Sequence, residues 1–167
     1  MKKFFGLLLC ALLVSPPLLA APACYSIAEL EAEQTLRLHS ELMVITVTCR
    51  SGSKGQNLVP AYTGFTRAHI QALQEAEQTM INYYVRDGKG GIAQLDKLRT
   101  KLGNEFGQKS ADMSAPAFCA KYRDRVLAFY SGDAEKLEEE VQAMVAHEDS
   151  YGQLCSSSRT RIAKKSR

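Results

Sequence analysis

Residues 65–83, FTRAHIQALQEAEQTMINY, decide the fold, because apolar side chains recur in them every three or four residues. The recurring positions are Phe65, His69, Ala72, Ala76, Met80 and Tyr83. This spacing lines them along one face of a helix. Thr63 is the expected N-cap, and the Asp87-Gly88 and Gly90-Gly91 pairs end the helix and turn the chain. The stretch predicts an amphipathic helix that buries one face against other helices.

Three later segments show the same helical period. The first carries Ile92, Leu95, Leu98, Leu102 and Phe106; the second, capped by Ser114, carries Phe118, Tyr122, Val126 and Phe129; the third, capped by Asp133, carries Leu137, Val141, Met144, Glu148, Tyr151 and Cys155. Each segment has a capping residue or a glycine turn at its start. The chain from residue 65 onward therefore predicts four helices in succession.

The segment before residue 50 is open to two interpretations. Leu38, Leu42, Ile45 and Cys49 keep helical spacing, whereas residues 42–47, LMVITV, are rich in the β-branched residues that favour a strand. We expect a helix, since residues 27–37 are rich in Ala, Glu and Leu and no partner strand is evident elsewhere. The predicted fold is all-α, a disulfide-stapled bundle of four to five antiparallel helices, with a longer connection over residues 51–62.

Residues 1–23 have the three parts of a secretory signal peptide. Lys2 and Lys3 precede an apolar run over residues 4–14, and small residues follow at 20–23. A run of this length makes about 16 Å of helix, well short of a bilayer core of roughly 30 Å. We expect cleavage near residue 23, which also removes Cys10, and a short bacterial signal of this kind predicts a periplasmic or secreted protein.

A lipoprotein anchored at Cys24 is the alternative to a soluble exported form. Such sites usually carry leucine three residues before the cysteine, whereas this chain has Ala21 there, followed by Pro22. Lipidation would also leave three cysteines, an odd number, for disulfide pairing. We therefore expect the soluble form.

Four cysteines, Cys24, Cys49, Cys119 and Cys155, remain after the leader, and this even number predicts two disulfides in an oxidising compartment. A straight helix would separate Cys24 from Cys49 by about 40 Å, which excludes their pairing. Helices of alternating direction place Cys49 and Cys119 at the same end of the bundle. We predict Cys49–Cys119, and Cys24–Cys155 follows by elimination. If successive helices strictly alternate in direction, Cys24 and Cys155 lie at opposite ends of the bundle. Their bond therefore requires that the first helix bends or that the final segment folds back.

Charge is divided between an acidic body and a basic tail. Of 21 Lys and Arg residues, two lie in the leader and five in the tail, so residues 24–158 hold 14 against 18 Asp and Glu. The five tail residues are Arg159, Arg161, Lys164, Lys165 and Arg167. We expect a helical bundle domain over residues 24–155 and a basic, disordered tail over 156–167, with weak contact of the tail with an anionic membrane surface. Export argues against nucleic acid as a partner.

The sequence contains no recognisable motif for catalysis, a cofactor or a metal. The three histidines lack the Glu-x-x-His pattern of di-iron bundles, because Leu36, Thr66 and Met144 stand three residues before them. There is also no Gly-x-Ser-x-Gly, Cys-x-x-Cys or P-loop sequence. Polar aromatic side chains could line a small-ligand pocket between helices, although core packing explains them equally well. The candidate pocket residues are His69, Tyr83, Tyr84 and Tyr122.

Residues 41–49, ELMVITVTC, together with residues 65–69, FTRAH, and Asn104-Glu105, resemble a group of small exported helical proteins of alphaproteobacteria. The resemblance covers about half of the chain and implies export and helicity, with no activity and no site. We expect a non-enzymatic periplasmic domain that binds a protein or an envelope component through a helical face. The alternatives are a small-ligand or metal carrier with a cavity near His69 and the tyrosines, and an enzyme with an unrecognised site.

Overall fold

The computed structural model describes residues 24–51, 57–129, 133–147 and 154–155. Six α-helices lie in these ranges: α1 Ile27–Thr48, α2 Val59–Ala68, α3 Ile70–Arg86, α4 Gly91–Ala111, α5 Ala115–Ala128 and α6 Ala134–His147. A single turn of 3-10 helix, Cys49–Ser51, follows α1. The described ranges contain no strand, only an isolated bridge between Tyr25 and Leu154. The predicted all-α bundle with two disulfides is confirmed, with six helices in place of four to five.

Helix α1 is the centre of the bundle, because all five other helices pack against it. Its N-terminus has a capping box, in which the Ser26 and Glu29 side chains each accept a backbone N–H of the other residue. Residues 42–47 belong to this helix, and three of them, Leu42, Ile45 and Thr46, are buried. Packing from several sides therefore outweighs the strand preference of the β-branched residues.

The single helix expected from Thr63 is instead two helices, α2 and α3, that meet at His69. Helix α2 starts at Val59, inside the expected connection, with Pro60 in its first turn, where a missing N–H costs nothing. Thr63 thus lies within α2, and its assignment as an N-cap was wrong. The apolar stripe continues across the junction, since Phe65 and His69 are both buried, and the periodicity alone gave no sign of the break.

The other helix boundaries follow the sequence closely. Ser114 Oγ accepts a hydrogen bond from Ala117 N at 3.4 Å, and Asp133 Oδ1 accepts one from Glu135 N at 3.0 Å, so both predicted N-caps are confirmed. The turn between α3 and α4 has positive φ angles of 69° at Gly88 and 79° at Gly90, which glycine adopts without strain. Of the stripe predicted for the last helix, positions 148 and 151 lie outside the described residues, whereas Cys155 is described and is not helical, so its assignment to that helix was wrong.

The core consists of two clusters along α1, and they show the direction of α6. Around the C-terminal half of α1 lies the first cluster: Leu38, Leu42, Ile45, Cys49, Leu58, Ala61, Phe65, Phe106, Phe118, Val126, Phe129, Leu137 and Val141. Around its N-terminal half lies the second: Tyr25, Leu30, Ala32, Leu36, Ala76, Met80, Tyr83, Leu95, Leu98, Leu102, Val145 and Leu154. All buried residues of α5 belong to the first cluster, whereas α6 passes from the first to the second. Helix α6 therefore runs antiparallel to α1, which returns the final segment to the start of α1.

Both predicted disulfides are present. Cys49 and Cys119 have Cα atoms 5.5 Å apart, and Cys24 and Cys155 have Cα atoms 5.0 Å apart. Next to the second bond, Cys155 N donates to the carbonyl oxygen of Tyr25 at 2.9 Å. One disulfide thus lies at each end of α1, and both are typical of a protein that folds outside the cytoplasm.

The predicted leader, residues 1–23, and the predicted tail, residues 156–167, lie outside the described residues. Among the described helices, none combines the length and the apolar character that crossing a membrane requires. The sulfur of Cys24 is bonded to that of Cys155, so it is not available for the thioether bond of a lipoprotein anchor.

Each disulfide is expected to make a large contribution to stability. Replacing Cys49 and Cys119 together with alanine should lower the free energy of unfolding by about 4 kcal/mol, because the unfolded chain regains the entropy of an open loop. The Cys24→Ala/Cys155→Ala variant should lose a similar amount, since its sequence separation of 131 residues exceeds the 70 of the other pair. Equilibrium denaturation without reductant measures both losses. A loss below about 1 kcal/mol for either variant would contradict this entropic role.

Candidate functional site

The end of the bundle that carries the Cys24–Cys155 disulfide, here called the terminal end, also contains the turn between α3 and α4. Arg86, the last residue of α3, connects the two: its Nη2 donates to the carbonyl oxygen of Cys24 at 3.3 Å. Its Nη1 lies 2.5 Å from Glu29 Oε1 in the first turn of α1. The opposite end, with the Cys49–Cys119 disulfide, is called the far end.

Two ion pairs at the terminal end expose the cation and bury the carboxylate. The Arg86 side chain is 51% exposed and its partner Glu29 only 8%. Lys89 is likewise 53% exposed, against 5% for its partner Asp87. In each pair, the group that solvent contacts is therefore the cation.

The electrostatics keep these groups ionised. Burial acts against the charge of Glu29, but hydrogen bonds from Arg86 and Ser26 outweigh it and hold the pKa below its usual value. The hydrogen bond to Glu29 raises the pKa of Arg86, and the hydrogen bond to Asp87 raises the pKa of Lys89. Both cations therefore carry full charge at neutral pH.

Two large aliphatic residues that are close in sequence to these cations are exposed. Val85 is 62% exposed and Ile92 is 68% exposed, so the assignment of Ile92 to the buried stripe of its helix was wrong. The two helices approach closely here: a Cβ on Gly91 would lie 2.7 Å from Ile81 Cγ2 and 3.0 Å from Val85 Cγ2. Val85 thus lies against Gly91, the residue before Ile92. We call Val85, Arg86, Lys89 and Ile92 the hairpin tip.

Three tyrosine rings pack against one another next to the hairpin tip. The ring centroid of Tyr83 lies 4.5 Å from that of Tyr25 and 5.2 Å from that of Tyr84. The Tyr25 hydroxyl donates to Glu33 Oε2 at 2.7 Å, and burial, together with Glu33, raises the pKa of this phenol. The Arg86 guanidinium lies 5.3 Å from the centre of the Tyr83 ring, a favourable cation–π distance. The end of α3 is therefore held firmly against the start of α1.

The four residues expected to line a ligand pocket lie in different parts of the bundle. Tyr83 and Tyr84 lie together beneath the hairpin tip, whereas Tyr122 packs in the first cluster, with its ring 4.8 Å from that of Phe118. His69 lies at the junction of α2 and α3, with its ring 4.9 Å from that of Phe65. The structure thus brings two of the four together and does not form one pocket from all of them.

His39 and His69 are packed into the bundle as neutral side chains. His39 Nε2 and the Tyr62 hydroxyl oxygen are 2.8 Å apart, and His69 Nε2 is buried without a hydrogen-bond partner. Burial lowers the pKa of both imidazoles. Within the ranges that the structure describes, no three or more His, Cys, Asp or Glu side chains form a group able to hold a metal ion.

The remaining buried charges join helices. Arg125 Nη2 on α5 lies 2.7 Å from Glu140 Oε1 on α6, and its Nε also pairs with Glu41 on α1. Burial raises the pKa of Glu41, although Arg125 partly offsets this effect. One turn earlier on α1, the partly exposed Arg37 places its Nη1 2.5 Å from Oε2 of the exposed Glu105 on α4. Glu41 and Glu105, both in the segments that carry the resemblance, therefore have structural partners.

No family model matches this chain, and neither the curated proteins nor the solved structures include a significantly similar one.

The sequence patterns did not identify the hairpin tip. Charged residues are common in turns, and only the packing shows that the carboxylates of the two ion pairs are buried while the cations are exposed. The one available signal was the cluster of Arg86, Asp87 and Lys89 between Val85 and the glycines.

The Arg86–Glu29 pair is expected to contribute to stability as well as to surface charge. Arg86→Gln should lower the free energy of unfolding by about 1–3 kcal/mol, because it leaves the buried Glu29 carboxylate with fewer partners. Arg99→Gln is the matched control, since its partner Glu77 is more exposed than Glu29, and it should cost less than about 1 kcal/mol. Chemical denaturation at neutral pH compares them. Equal losses in the two variants would argue against a buried carboxylate at position 29.

The burial of neutral His69 predicts that the protein loses stability in mild acid. Below about pH 6.5 the unfolded chain takes up a proton on this imidazole, whereas burial keeps the folded form neutral to lower pH. The contribution of His69 to the free energy of unfolding is therefore fully present above about pH 6.5 and declines as the pH falls below that value. His69→Gln should reduce this decline, with His39 accounting for part of the remainder. Urea denaturation at a series of pH values measures the slope, and an unchanged slope in His69→Gln would count against the assignment.

Proposed function

We propose that this chain is a non-enzymatic helical domain of the periplasm or the extracellular space that binds a cell-envelope component through the hairpin tip. The observation that carries the proposal is the combination of two exposed cations, whose carboxylate partners are buried, with the exposed side chains of Val85 and Ile92. Exposed aliphatic side chains that are bordered by charges are typical of an interaction site.

Binding is favoured over catalysis because two of the perturbed ionisable groups, Glu41 and His39, have structural partners. Glu41 forms an ion pair with Arg125, and His39 lies within hydrogen-bond distance of the Tyr62 hydroxyl. A small-ligand carrier gains no support from the structure, since the residues expected to line its pocket lie in separate places. The predicted leader and the two disulfides favour an exported protein. The resemblance to small exported proteins of alphaproteobacteria agrees with this location and stays a prediction.

The hairpin tip also lies where both ends of the predicted domain meet. Cys24 and Cys155 are joined by a disulfide, and Arg86 donates to the carbonyl oxygen of Cys24. Because the sulfur of Cys24 is occupied, attachment to the envelope would depend on this surface in place of a lipid anchor.

Co-sedimentation of the exported chain, purified with both disulfides formed, with isolated bacterial envelope membranes tests the proposal. The K89Q/I92S variant removes one cation and one aliphatic side chain from the hairpin tip. We expect it to weaken binding by at least about tenfold, because each change removes roughly 1 kcal/mol of charge attraction or apolar contact. The bound fraction, measured over a range of membrane concentrations, gives the affinity.

The V47S/R50Q variant is the matched control. It removes the same two kinds of side chain at the far end, where Val47 is 70% exposed and Arg50 is exposed. We expect this control to bind envelope membranes as the wild type does. Absence of wild-type binding, or equal weakening in the two variants, would overturn the proposal.

A further inference from the structure

We infer that the envelope component is the anionic headgroup layer of a phospholipid bilayer, and that the hairpin tip contacts it with the bundle standing end-on. This inference rests on the proposed function, and it names the chemistry of the partner. The hairpin tip offers both kinds of contact that such a surface uses: cations for the phosphate groups, and aliphatic side chains for the boundary between headgroups and acyl chains.

The placement of the basic tail supports a charged surface as the partner. Residues 156–167 contain five Lys and Arg residues and no Asp or Glu. They follow Cys155, which is bonded to Cys24 next to Arg86, so they leave the bundle at the same end as the hairpin tip. Twelve residues reach at most about 40 Å, enough to contact the same surface. The sequence thus adds the five cations of the tail to the two of the hairpin tip, and the tail continues from a residue at the terminal end.

The charge of the remaining protein favours the end-on orientation. Residues 24–158 hold 14 Lys and Arg against 18 Asp and Glu, and the two cations of the hairpin tip are included in that count. Outside the hairpin tip, these residues therefore hold 12 Lys and Arg against 18 Asp and Glu. An anionic surface therefore attracts the cations of the hairpin tip and of the tail and gains no net attraction from the rest of the domain, whose charge is negative.

The small size of the hairpin tip favours a lipid surface over a protein partner. A stable protein interface usually buries more than about 1,000 Å² with a well-packed apolar centre, whereas Val85 and Ile92 offer only two aliphatic side chains. A bilayer surface needs no such complementarity, because many weak charge contacts add to shallow apolar insertion. A protein partner is one outcome of the test.

Co-sedimentation with protein-free vesicles distinguishes these partners. We expect binding to vesicles that mix phosphatidylglycerol with phosphatidylcholine, no binding to phosphatidylcholine alone, and weaker binding as the salt concentration rises. The K89Q/I92S variant should bind about tenfold more weakly, and replacing the five tail cations with glutamine should reduce binding by at least about a hundredfold. V47S/R50Q should match the wild type.

A fluorescence experiment tests the contact of the hairpin tip itself. The chain has no tryptophan, so I92W and V47W each place a single reporter, at the hairpin tip and at the far end. Anionic vesicles should shift the emission of I92W to shorter wavelength as the ring leaves water, and should leave V47W unchanged. Equal behaviour of the two reporters would contradict insertion of the hairpin tip.

The outcomes separate this inference from the proposed function. Binding to envelope membranes without binding to anionic vesicles would overturn the lipid inference, point to a protein or glycan partner, and leave the proposed function standing. Binding to neither would overturn both. Equal binding to neutral and anionic vesicles, or wild-type binding by K89Q/I92S, would also overturn the inference.

Discussion

The burial of α1 on several sides is the constraint on which the rest of the structure depends. Five helices pack around it, so α1 must present buried side chains in several directions, and some of these are polar, among them Gln34, Ser40 and Thr46. The Thr46 hydroxyl donates to the carbonyl oxygen of Leu42 at 2.7 Å, which satisfies it without a partner on another helix. The other helices have fewer buried positions than α1, and their simpler apolar stripes follow from this difference.

The sequence predicted the outer helices well because their buried residues form simple apolar stripes. The apolar period identified α3, α4 and α5, and the caps at Ser114 and Asp133 were correct, because each depends on local chemistry. Helix length excluded a Cys24–Cys49 bond, and helix order predicted Cys49–Cys119. The central helix was the uncertain one, since a helix buried in several directions has no single apolar face. Its β-branched residues then resembled a strand.

The errors arose where periodicity carries no information. His69 continues the apolar stripe across the junction of α2 and α3, so the break left no gap in the pattern. A stripe also gives no direction: the buried residues of α5 all lie in the first cluster, whereas α6 runs back along α1 from the first cluster to the second. Tyr122 and Tyr83 consequently belong to different clusters. For the candidate site, the positions of Arg86 and Lys89 were visible in the sequence, but the burial of Glu29 and Asp87 depends on packing between α1, α3 and the turn.

The disulfide between Cys24 and Cys155 places the residue from which the tail continues next to the hairpin tip. Two aliphatic side chains or a short basic segment alone bind a bilayer only weakly. In the proposed contact with a bilayer, binding through the hairpin tip would hold Cys155, from which the tail continues, close to the same surface, so the two affinities would reinforce each other. This coupling requires both to lie at one end of the bundle, which the return of α6 along α1 provides. The direction of the last helix, which no stripe could predict, is therefore the structural feature that makes a two-part membrane contact physically reasonable.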